Sequence, residues 1–397
     1  MSAVSPRVSP PLLAAYAITF LAFADTFAFL PTIGPHADDL GADEVMVGVV
    51  VGAYSATNLV ANPFAGVLLD RLGRRRVLLA GLTLAAVAVA CYPLAATPGQ
   101  LLGIRLVHGI GGGIIVPAVF TLVGDLTRTH RRGRAMGRTG ASIGLAAIVG
   151  PPLAALMADR VNFEALAISV AGVLLLGLLI AALALPEPQR AEARTDAAPR
   201  TALRRLGRAS LAAFGFTFAL GGLSAFLPFR VEALGAAPAV SGGLLGLFAV
   251  VAAVLMLSPL ADTSRSVRAE IPLVAGLIAV AIALVALGAG GSVPVLAAGA
   301  AVFGVGYALL FPVAAAQAAD AVSGARRGRA FGAFHAAFSA GFVLGPPTAG
   351  FFTAGPLGPF TAGGVAAVLT ALIVPLLRPE RTPVGEAAAG PDRSGEG

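Results

Sequence analysis

Twelve apolar stretches follow one another along this chain, separated by breaks that contain charged, proline or glycine residues. Each is about as long as a helix must be to cross a bilayer, which is about 20 residues. Hydrophobic residues make up 57% of the sequence and charged residues 12%, more apolar surface than a soluble core can bury. We therefore predict an all-α polytopic membrane protein, whose first stretch is a retained span and not a signal peptide. The predicted spans lie at 11–34, 45–69, 77–98, 99–123, 136–158, 164–185, 209–231, 239–262, 271–290, 293–318, 330–353 and 358–377.

Arginine placement predicts the orientation of the chain. All 27 basic residues are arginines, and 24 of them fall in the termini and in the loops on one side of the predicted bundle. Because basic loops remain in the cytoplasm, we expect both termini to be cytoplasmic and the protein to lie in the plasma membrane. Arginine clusters next to spans attract anionic lipid. The net charge of +7 thus indicates contact with the lipid bilayer and no nucleic-acid partner.

An internal repeat divides the chain into two similar halves. Residues 132–152 align without gaps to residues 327–347, at a constant offset of 195. Each half contains six predicted spans, so the halves run in the same direction, an architecture typical of transporters. We expect twelve helices in two parallel, pseudo-symmetric six-helix bundles around a central cavity. The predicted parts are an N-terminal bundle at 1–187, a cytoplasmic linker at 188–208, a C-terminal bundle at 209–378 and a cytoplasmic tail at 379–397.

The loop between predicted spans 2 and 3 carries a glycine- and arginine-rich motif. Its glycines suit a tight turn, and its charges lie at helix ends, where helix dipoles are available. This loop resembles the signature loop of the major facilitator superfamily, in particular its twelve-span drug:proton antiporter branch. The resemblance implies a cytoplasmic latch between the halves, in which Asp70 faces the start of span 11 and an arginine pairs with Asp125. A plain positive-inside turn is the alternative. The predicted latch residues are Gly66, Asp70, Arg71, Gly73, Arg74, Arg75 and Asp125.

Two further motifs resemble the same family. Span 4 carries Arg105-x-x-His108, similar to the family's intramembrane arginine motif. Span 5 ends in a glycine–proline motif similar to the one associated with antiporters, and span 11 repeats it. Proline removes a helix hydrogen bond and glycine permits close packing, so a fixed bend is expected. A generic bend without bearing on transport direction remains the alternative. The predicted bend residues are Gly144, Gly150, Pro151, Pro152, Gly345 and Pro346.

Asp25 and Arg105 are the charged residues that lie well within predicted spans. A charge inside a bilayer is costly and is usually functional. Both residues lie at similar predicted depths, which permits an ion pair. We predict that Asp25 carries a proton, that Arg105 modulates it, and that His108, one turn away, is a second candidate. The alternatives are a static ion pair for Asp25 and Arg105, and a hydrogen-bonding role for His108.

Aromatic residues distinguish the C-terminal half. At the repeat offset, Arg105 corresponds to Ala300 and His108 to Phe303, so the ionisable groups are confined to the first half. We therefore expect proton handling in the first half and apolar substrate contact in the second. Packing against lipid or neighbouring helices is the alternative for any single phenylalanine. The predicted substrate-cavity residues are Phe226, Tyr307, Phe334 and Phe338.

These observations predict a secondary active transporter that works by alternating access. We expect proton-coupled efflux of small lipophilic compounds or drugs, with a small-molecule substrate and protons as partners and a monomeric state. A proton-coupled symporter or facilitator that imports a small polar metabolite is the alternative. No metal-binding, nucleophile–base or phosphate-loop motif is present in the sequence, which argues against an enzyme, a cofactor and ATP-driven transport. The two-fold repeat argues against a channel.

Overall fold

The structure is a computed structural model that describes residues 9–127, 132–186, 200–257, 270–320 and 327–377. Within these ranges it consists of α-helices, two short 3-10 turns and connecting loops. Residues 188–199 of the predicted linker, and the predicted tail, lie outside the described residues. The helices are α1 (Pro10–Ala28), α2 (Ile33–Asp39), α3 (Glu44–Leu72), α4 (Arg74–Ala90), α5 (Pro98–Asp125), α6 (Arg132–Arg160), α7 (Phe163–Ala184), α8 (Arg200–Ala233), α9 (Ala239–Leu257), α10 (Glu270–Ala289), α11 (Val293–Asp320), α12 (Arg327–Gly350) and α13 (Phe360–Ile373).

Eleven of the described helices are long and apolar enough to cross a membrane. They include every helix named above except the short α2 and α12. Helix α12 is 24 residues long and packs against α8 and α3. The all-α polytopic fold class is therefore confirmed, and a twelfth crossing by α12 stays a prediction.

Three helix boundaries differ clearly from the sequence-based ones: the ends of α1 and α4 and the start of α8. Helix α1 ends at Ala28, not at residue 34, because Pro31 disfavours helical backbone in the residue before it; a separate short helix, α2, follows. Helix α8 begins at Arg200, so residues 200–208 of the predicted linker are helical. This stretch is rich in arginine and leucine, which are strong helix formers.

The two halves meet at the end of the bundle that carries α2, here called the α2 end. A Cβ built on Gly48 of α3 would lie 2.3 Å from the carbonyl oxygen of Pro346 in α12. A Cβ on Gly242 of α9 would lie 2.3 Å from the carbonyl oxygen of Pro151 in α6. Small residues thus allow these helices of opposite halves to approach closely.

The opposite end, here called the Gly73 end, is more open. On α3, Gly66 has no atom of another segment within 4 Å, and Phe64 is exposed. On α6, the same lack of neighbours holds for Gly137, Gly140 and Gly144. These positions of α3 and α6 therefore lack the close helix contacts found at the α2 end.

Helix α2 closes part of the α2 end. Its Gly34 lies so close to α8 that a Cβ would be 2.9 Å from the carbonyl oxygen of Ala225. The His36 ring stacks on Phe163 of α7, with centroids 3.7 Å apart and planes 10° apart. The short helix therefore contacts both halves of the molecule.

Candidate functional site

Asp25 of α1 and His108 of α5 form a hydrogen-bonded pair between two helices of the N-terminal half. Nε2 of His108 lies 2.9 Å from Oδ2 of Asp25. The His108 side chain is 0% and that of Asp25 2% exposed. Because α1 ends at Ala28, Asp25 lies three residues before the end of its helix, nearer to the α2 end than the sequence predicted.

Arg105 does not form an ion pair with Asp25, which corrects the pairing expected from the sequence. Its NH1 instead donates to the hydroxyl oxygen of Tyr92, 3.1 Å away. That hydroxyl also lies 2.8 Å from Nδ1 of His108. One helical turn on α5 separates residues 105 and 108, and the histidine, not the arginine, faces α1. Tyr92 and His108 therefore stand between the arginine and the carboxylate.

Aromatic rings surround the Arg105 guanidinium. Its Cζ lies 5.0 Å from the centroid of the Tyr54 ring and 5.7 Å from that of Phe29, within range of a cation–π interaction. The Tyr54 hydroxyl is 3.1 Å from that of Thr26 on α1. The cluster of Asp25, Thr26, Tyr54, Tyr92, Arg105 and His108 is called the Asp25 cluster below.

Glycines of α5 leave room for the side chains that pack in and beside the Asp25 cluster. A Cβ on Gly112 would lie 2.0 Å from the Tyr54 hydroxyl oxygen, and one on Gly109 would lie 2.1 Å from Oγ1 of Thr57. Both glycines face α3, so α3 and α5 approach closely enough for Tyr54 to contact Arg105 and His108. Two buried atoms, Oδ1 of Asp25 and Nε of Arg105, have no hydrogen-bond partner. Buried polar atoms are normally paired, so this cluster has unused bonding capacity.

The predicted latch is formed in part. Nε of Arg74 donates to Oδ2 of Asp125 at 2.9 Å, and NH1 of Arg74 donates to the carbonyl oxygen of Leu69. This bond joins the start of α4 to the end of α5, both in the N-terminal half. Gly73, between α3 and α4, has a φ of 93°, a conformation that favours glycine. The Asp70 carboxylate lies outside the described side chains, so its contact with α12 stays a prediction.

The other latch residues have different surroundings. Arg75 donates to the carbonyl oxygens of Ala181 and Ala182 near the end of α7. Arg71 lies in the last turn of α3 and is exposed. Gly66 has no neighbour that its replacement by a larger residue would meet.

The glycine–proline motifs lie where the halves touch. Besides the Gly242 contact with Pro151, a Cβ on Gly246 would lie 2.6 Å from Cγ of Pro152. Gly345 packs within the C-terminal half, where a Cβ would lie 2.1 Å from the carbonyl oxygen of Phe218. Sequence reasoning predicted bends here and missed this packing role. The sequence does contain a signal for this packing: Gly48 and Gly52 of α3 recur as Gly242 and Gly246 of α9, at an offset of 194.

The predicted substrate residues do not form one group. Tyr307 and Phe338 belong to one aromatic cluster, joined through Phe311. Phe334 is 0% exposed and is a packing residue in this conformation, because substrate cannot reach its ring. Several other rings of the cluster were not predicted as cavity residues; among them are Phe216, Phe248, Phe303 and Phe311.

Phe226 lies apart from that cluster. It lines a separate cavity of about 410 Å³ at the α2 end, together with Asp38, Glu44 and Arg230. The sequence placed Phe226 with Tyr307 because both lie in apolar spans of the same half. The span positions alone do not show that the two residues lie at different depths of the bundle.

The C-terminal counterpart of the Asp25 cluster is aromatic. Phe303 packs edge-on against Phe248 of α9, as His108 packs edge-on against Tyr54 of α3. An arginine is nevertheless buried in this half. Nε of Arg208 donates to Oε1 of Gln317 at 2.9 Å, and its NH1 lies 3.6 Å from Oε2 of Glu270. Among the described residues, no group of three or more His, Cys, Asp or Glu side chains is placed to hold a metal ion.

Two sequence relatives and one solved structure are similar to this chain. The chain is 34% identical over 126 residues to Multidrug resistance protein 3 of Bacillus subtilis (strain 168), covering 32% of this chain and 24% of that protein. It is 27% identical over 140 residues to Quinolone resistance protein NorA of Staphylococcus aureus (strain Mu50 / ATCC 700699), covering 35% and 36%. The chain thus aligns with about a quarter to a third of the length of these relatives. A solved POT family transporter in complex with 5-aminolevulinic acid has a TM-score of 0.78 at 15% identity, covering 93% and 96%.

The family model covers far more of the chain than these relatives do. The model described as Major Facilitator Superfamily matches residues 15–269 and 209–393, and both halves of the repeat lie within those ranges. The likeness to the solved transporter supports the same fold. The chain therefore belongs to the Major Facilitator Superfamily.

Proposed function

We propose that this transporter exports small lipophilic compounds by alternating access, in exchange for protons that bind at Asp25. The observation that carries the proposal is the buried pair of Asp25 and His108, with Oδ1 of Asp25 unpartnered. A carboxylate that is buried among membrane helices is costly to keep. Because Oδ1 of Asp25 has no hydrogen-bond partner, it can accept a proton. Proton binding is thus a function that explains why the costly carboxylate is present.

Arg105 links the protonation of Asp25 to conformation. With Asp25 ionised, one negative and one positive charge lie in the same buried cluster. Protonation of Asp25 removes the negative charge and leaves Arg105 without a counter-charge. An uncompensated buried charge costs several kcal/mol. A conformation that admits water to the Asp25 cluster therefore becomes more favourable when the proton is bound.

The aromatic cluster of the C-terminal half is the proposed substrate-binding surface. Tyr307, Phe311 and Phe338 are its partly exposed rings, and the centroids of Tyr307 and Phe311 lie 5.0 Å apart. Phe216 is fully buried and supports Tyr307, with centroids 4.6 Å apart. Flat aromatic and aliphatic compounds bind well to such rings through burial and stacking. The names of the relatives described above, which refer to multidrug and quinolone resistance, support the same substrate class.

The glycine–proline contacts at the α2 end are the proposed outer gate. The arginine-rich loops predict that the Gly73 end faces the cytoplasm. In that orientation the closely packed α2 end faces the outside, and both termini lie on the cytoplasmic side of the plasma membrane. Separation of α3 from α12 and of α6 from α9 would open the outer end.

Transport by inside-out vesicles tests this function. Purified protein is reconstituted, or membranes are inverted, and uptake of a fluorescent quinolone is followed with the lumen acidic. Wild type is expected to accumulate the quinolone and to stop when the pH gradient is collapsed, whereas D25N does not accumulate it. Gradient-driven uptake by D25N equal to that of wild type would overturn the role of Asp25. Loss of a preloaded polar sugar or organic acid from the acidic lumen, together with protons, would favour the symporter instead.

A further inference from the structure

The hydrogen bonds of the Asp25 cluster run in one direction. A guanidinium has donors and no acceptor. NH1 of Arg105 must therefore donate to the Tyr92 oxygen, across 3.1 Å. The Tyr92 oxygen is fixed as an acceptor at this contact.

The hydroxyl hydrogen of Tyr92 has one available acceptor. Within the described part of the chain, its oxygen has two hydrogen-bond contacts, to Arg105 and to Nδ1 of His108. Arg105 cannot accept, so the Tyr92 hydroxyl donates to Nδ1 of His108 at 2.8 Å. Tyr92 is fully buried, and a hydroxyl hydrogen turned elsewhere would lose its partner away from water.

The ring of His108 is thereby fixed in one state. Because Nδ1 accepts a hydrogen bond, it carries no proton, and the neutral ring must carry its proton on Nε2. Nε2 then donates to Oδ2 of Asp25 at 2.9 Å. An imidazolium would need a proton on Nδ1, where Tyr92 already directs its own hydrogen.

We propose that Tyr92 is a positioning residue, which holds His108 neutral with its proton on Nε2 and leaves Oδ1 of Asp25 as the atom that takes the transported proton. The inference rests on the proposed function for the identity of the proton carrier. It excludes His108, the second candidate from the sequence, as the carrier. It also gives Tyr92 a role that the position of this residue outside the known motifs did not suggest.

Protonation of Asp25 then leaves the direction of the other hydrogen bonds in the Asp25 cluster unchanged. In a conformation that admits water to the cluster, a hydronium ion gives its proton to Oδ1 of Asp25 and leaves as water. The bonds Arg105 to Tyr92, Tyr92 to His108 and His108 to Oδ2 keep their direction. The carboxylate becomes a neutral acid, and the net charge of the cluster changes from zero to plus one. Release to water on the other side reverses the same step.

The nitrogen NMR spectrum of histidine tests the proposal directly. The protein is labelled with ¹⁵N-histidine and placed in lipid nanodiscs, and the His108 signals are assigned by their loss in H108Q. Wild type is expected to show a neutral ring with the proton on Nε2, both above and below the pH at which Asp25 takes its proton. In Y92F, which keeps the ring and removes only the hydroxyl, a protonated Nδ1 is expected.

Tyr54→Phe is the matched control. Tyr54 also lies edge-on to His108, with centroids 4.9 Å apart, but its hydroxyl bonds to Thr26. Y54F should therefore keep the wild-type tautomer. Protonated Nδ1 in wild type at neutral pH, or a Y92F spectrum identical to that of wild type, would overturn the proposal. The spectra need no transport, so a failure of the vesicle experiment alone would reject proton coupling and leave the assignment of Tyr92 standing.

Discussion

Nε2 of His108 lies 2.9 Å from Oδ2 of Asp25 across the contact between α5 and α1, while Arg105, one turn away, bonds to Tyr92. The carboxylate and the guanidinium are thus connected through the side chains of His108 and Tyr92 and do not touch. Direct contact would hold the two charges together. The observed arrangement leaves one carboxylate oxygen without a partner.

Gly112→Ala is expected to disturb the Asp25 cluster through Tyr54. Its Cβ would lie 2.0 Å from the Tyr54 hydroxyl oxygen, so the ring must leave its place against Arg105 and Thr26. We expect a loss of about 1–3 kcal/mol in unfolding free energy, as overpacking usually costs, together with reduced quinolone exchange. Gly103→Ala on the same helix meets no atom within 4 Å and serves as the control. Equal behaviour of the two variants in thermal unfolding and transport would contradict this account.

Gly242→Ala is expected to open the α2 end. The added Cβ would lie 2.3 Å from the Pro151 carbonyl oxygen, which forces α9 away from α6. Spin labels at cysteines introduced by R160C and A237C, in a C91S background, report the separation of these helices by pulsed electron resonance. We expect longer distances than in the labelled parent. Gly243→Ala, with no neighbour within 4 Å, should keep the parent distribution, and an unchanged distribution in G242A would reject the gate.

Asp125→Ala is expected to destabilise the N-terminal half. The carboxylate pairs with Arg74 at 2.9 Å, and the two side chains are 16% and 7% exposed. Removal of one partner from a buried pair costs about 3–5 kcal/mol, because the remaining charge stays buried. Arg74 keeps its bond to the Leu69 carbonyl, so the lower end of this range is expected in unfolding titrations in mixed micelles. Arg76→Ala, at an exposed position on α4, should change the unfolding free energy by less than about 0.5 kcal/mol.

His36 is expected to make the α2 end sensitive to acid. Burial lowers the pKa of its imidazole, against the opposing effect of Glu164 and Asp39. A lowered pKa means that the folded protein favours the neutral ring, so its stabilising effect is present above the ordinary pKa of about 6.5 and is lost as the pH falls below it. H36F keeps an aromatic ring on Phe163 without a titrating group. The difference in melting temperature between wild type and H36F should grow in favour of H36F between about pH 6.5 and pH 5; a constant difference would show that the pKa of His36 is the same in the folded and the unfolded protein.

The fold followed from the sequence because its signals are local and repeated. Apolar length predicted the helices, and the repeat of 132–152 at 327–347 predicted two similar halves. The contact between Arg74 and Asp125 was also expected, from the resemblance of one loop. These features depend on residue type and spacing along the chain, which the sequence shows directly.

The details of the Asp25 cluster depend on rotation of helices about their axes. Arg105 and His108 lie one turn apart, and the sequence does not show which of them faces α1. Tyr92 contributes a hydroxyl from the 3-10 turn Tyr92–Leu94 after α4, far from Asp25 in sequence. An isolated polar group at the end of an apolar stretch was the available signal for it. The sequence likewise grouped Phe226 with Tyr307, because both lie in apolar spans of the C-terminal half. In the structure they lie at different depths of the bundle.

Proton release upon substrate binding tests the central claim most directly. Purified protein in detergent is equilibrated in weakly buffered solution at a pH where Asp25 holds its proton, and a quinolone is added while a pH indicator is followed. Because quinolone binding and protonation are linked, wild type is expected to release about one proton per bound quinolone. D25N is expected to bind the quinolone without releasing a proton. Quinolone binding by wild type with no proton released, or equal release by D25N, would contradict the central claim.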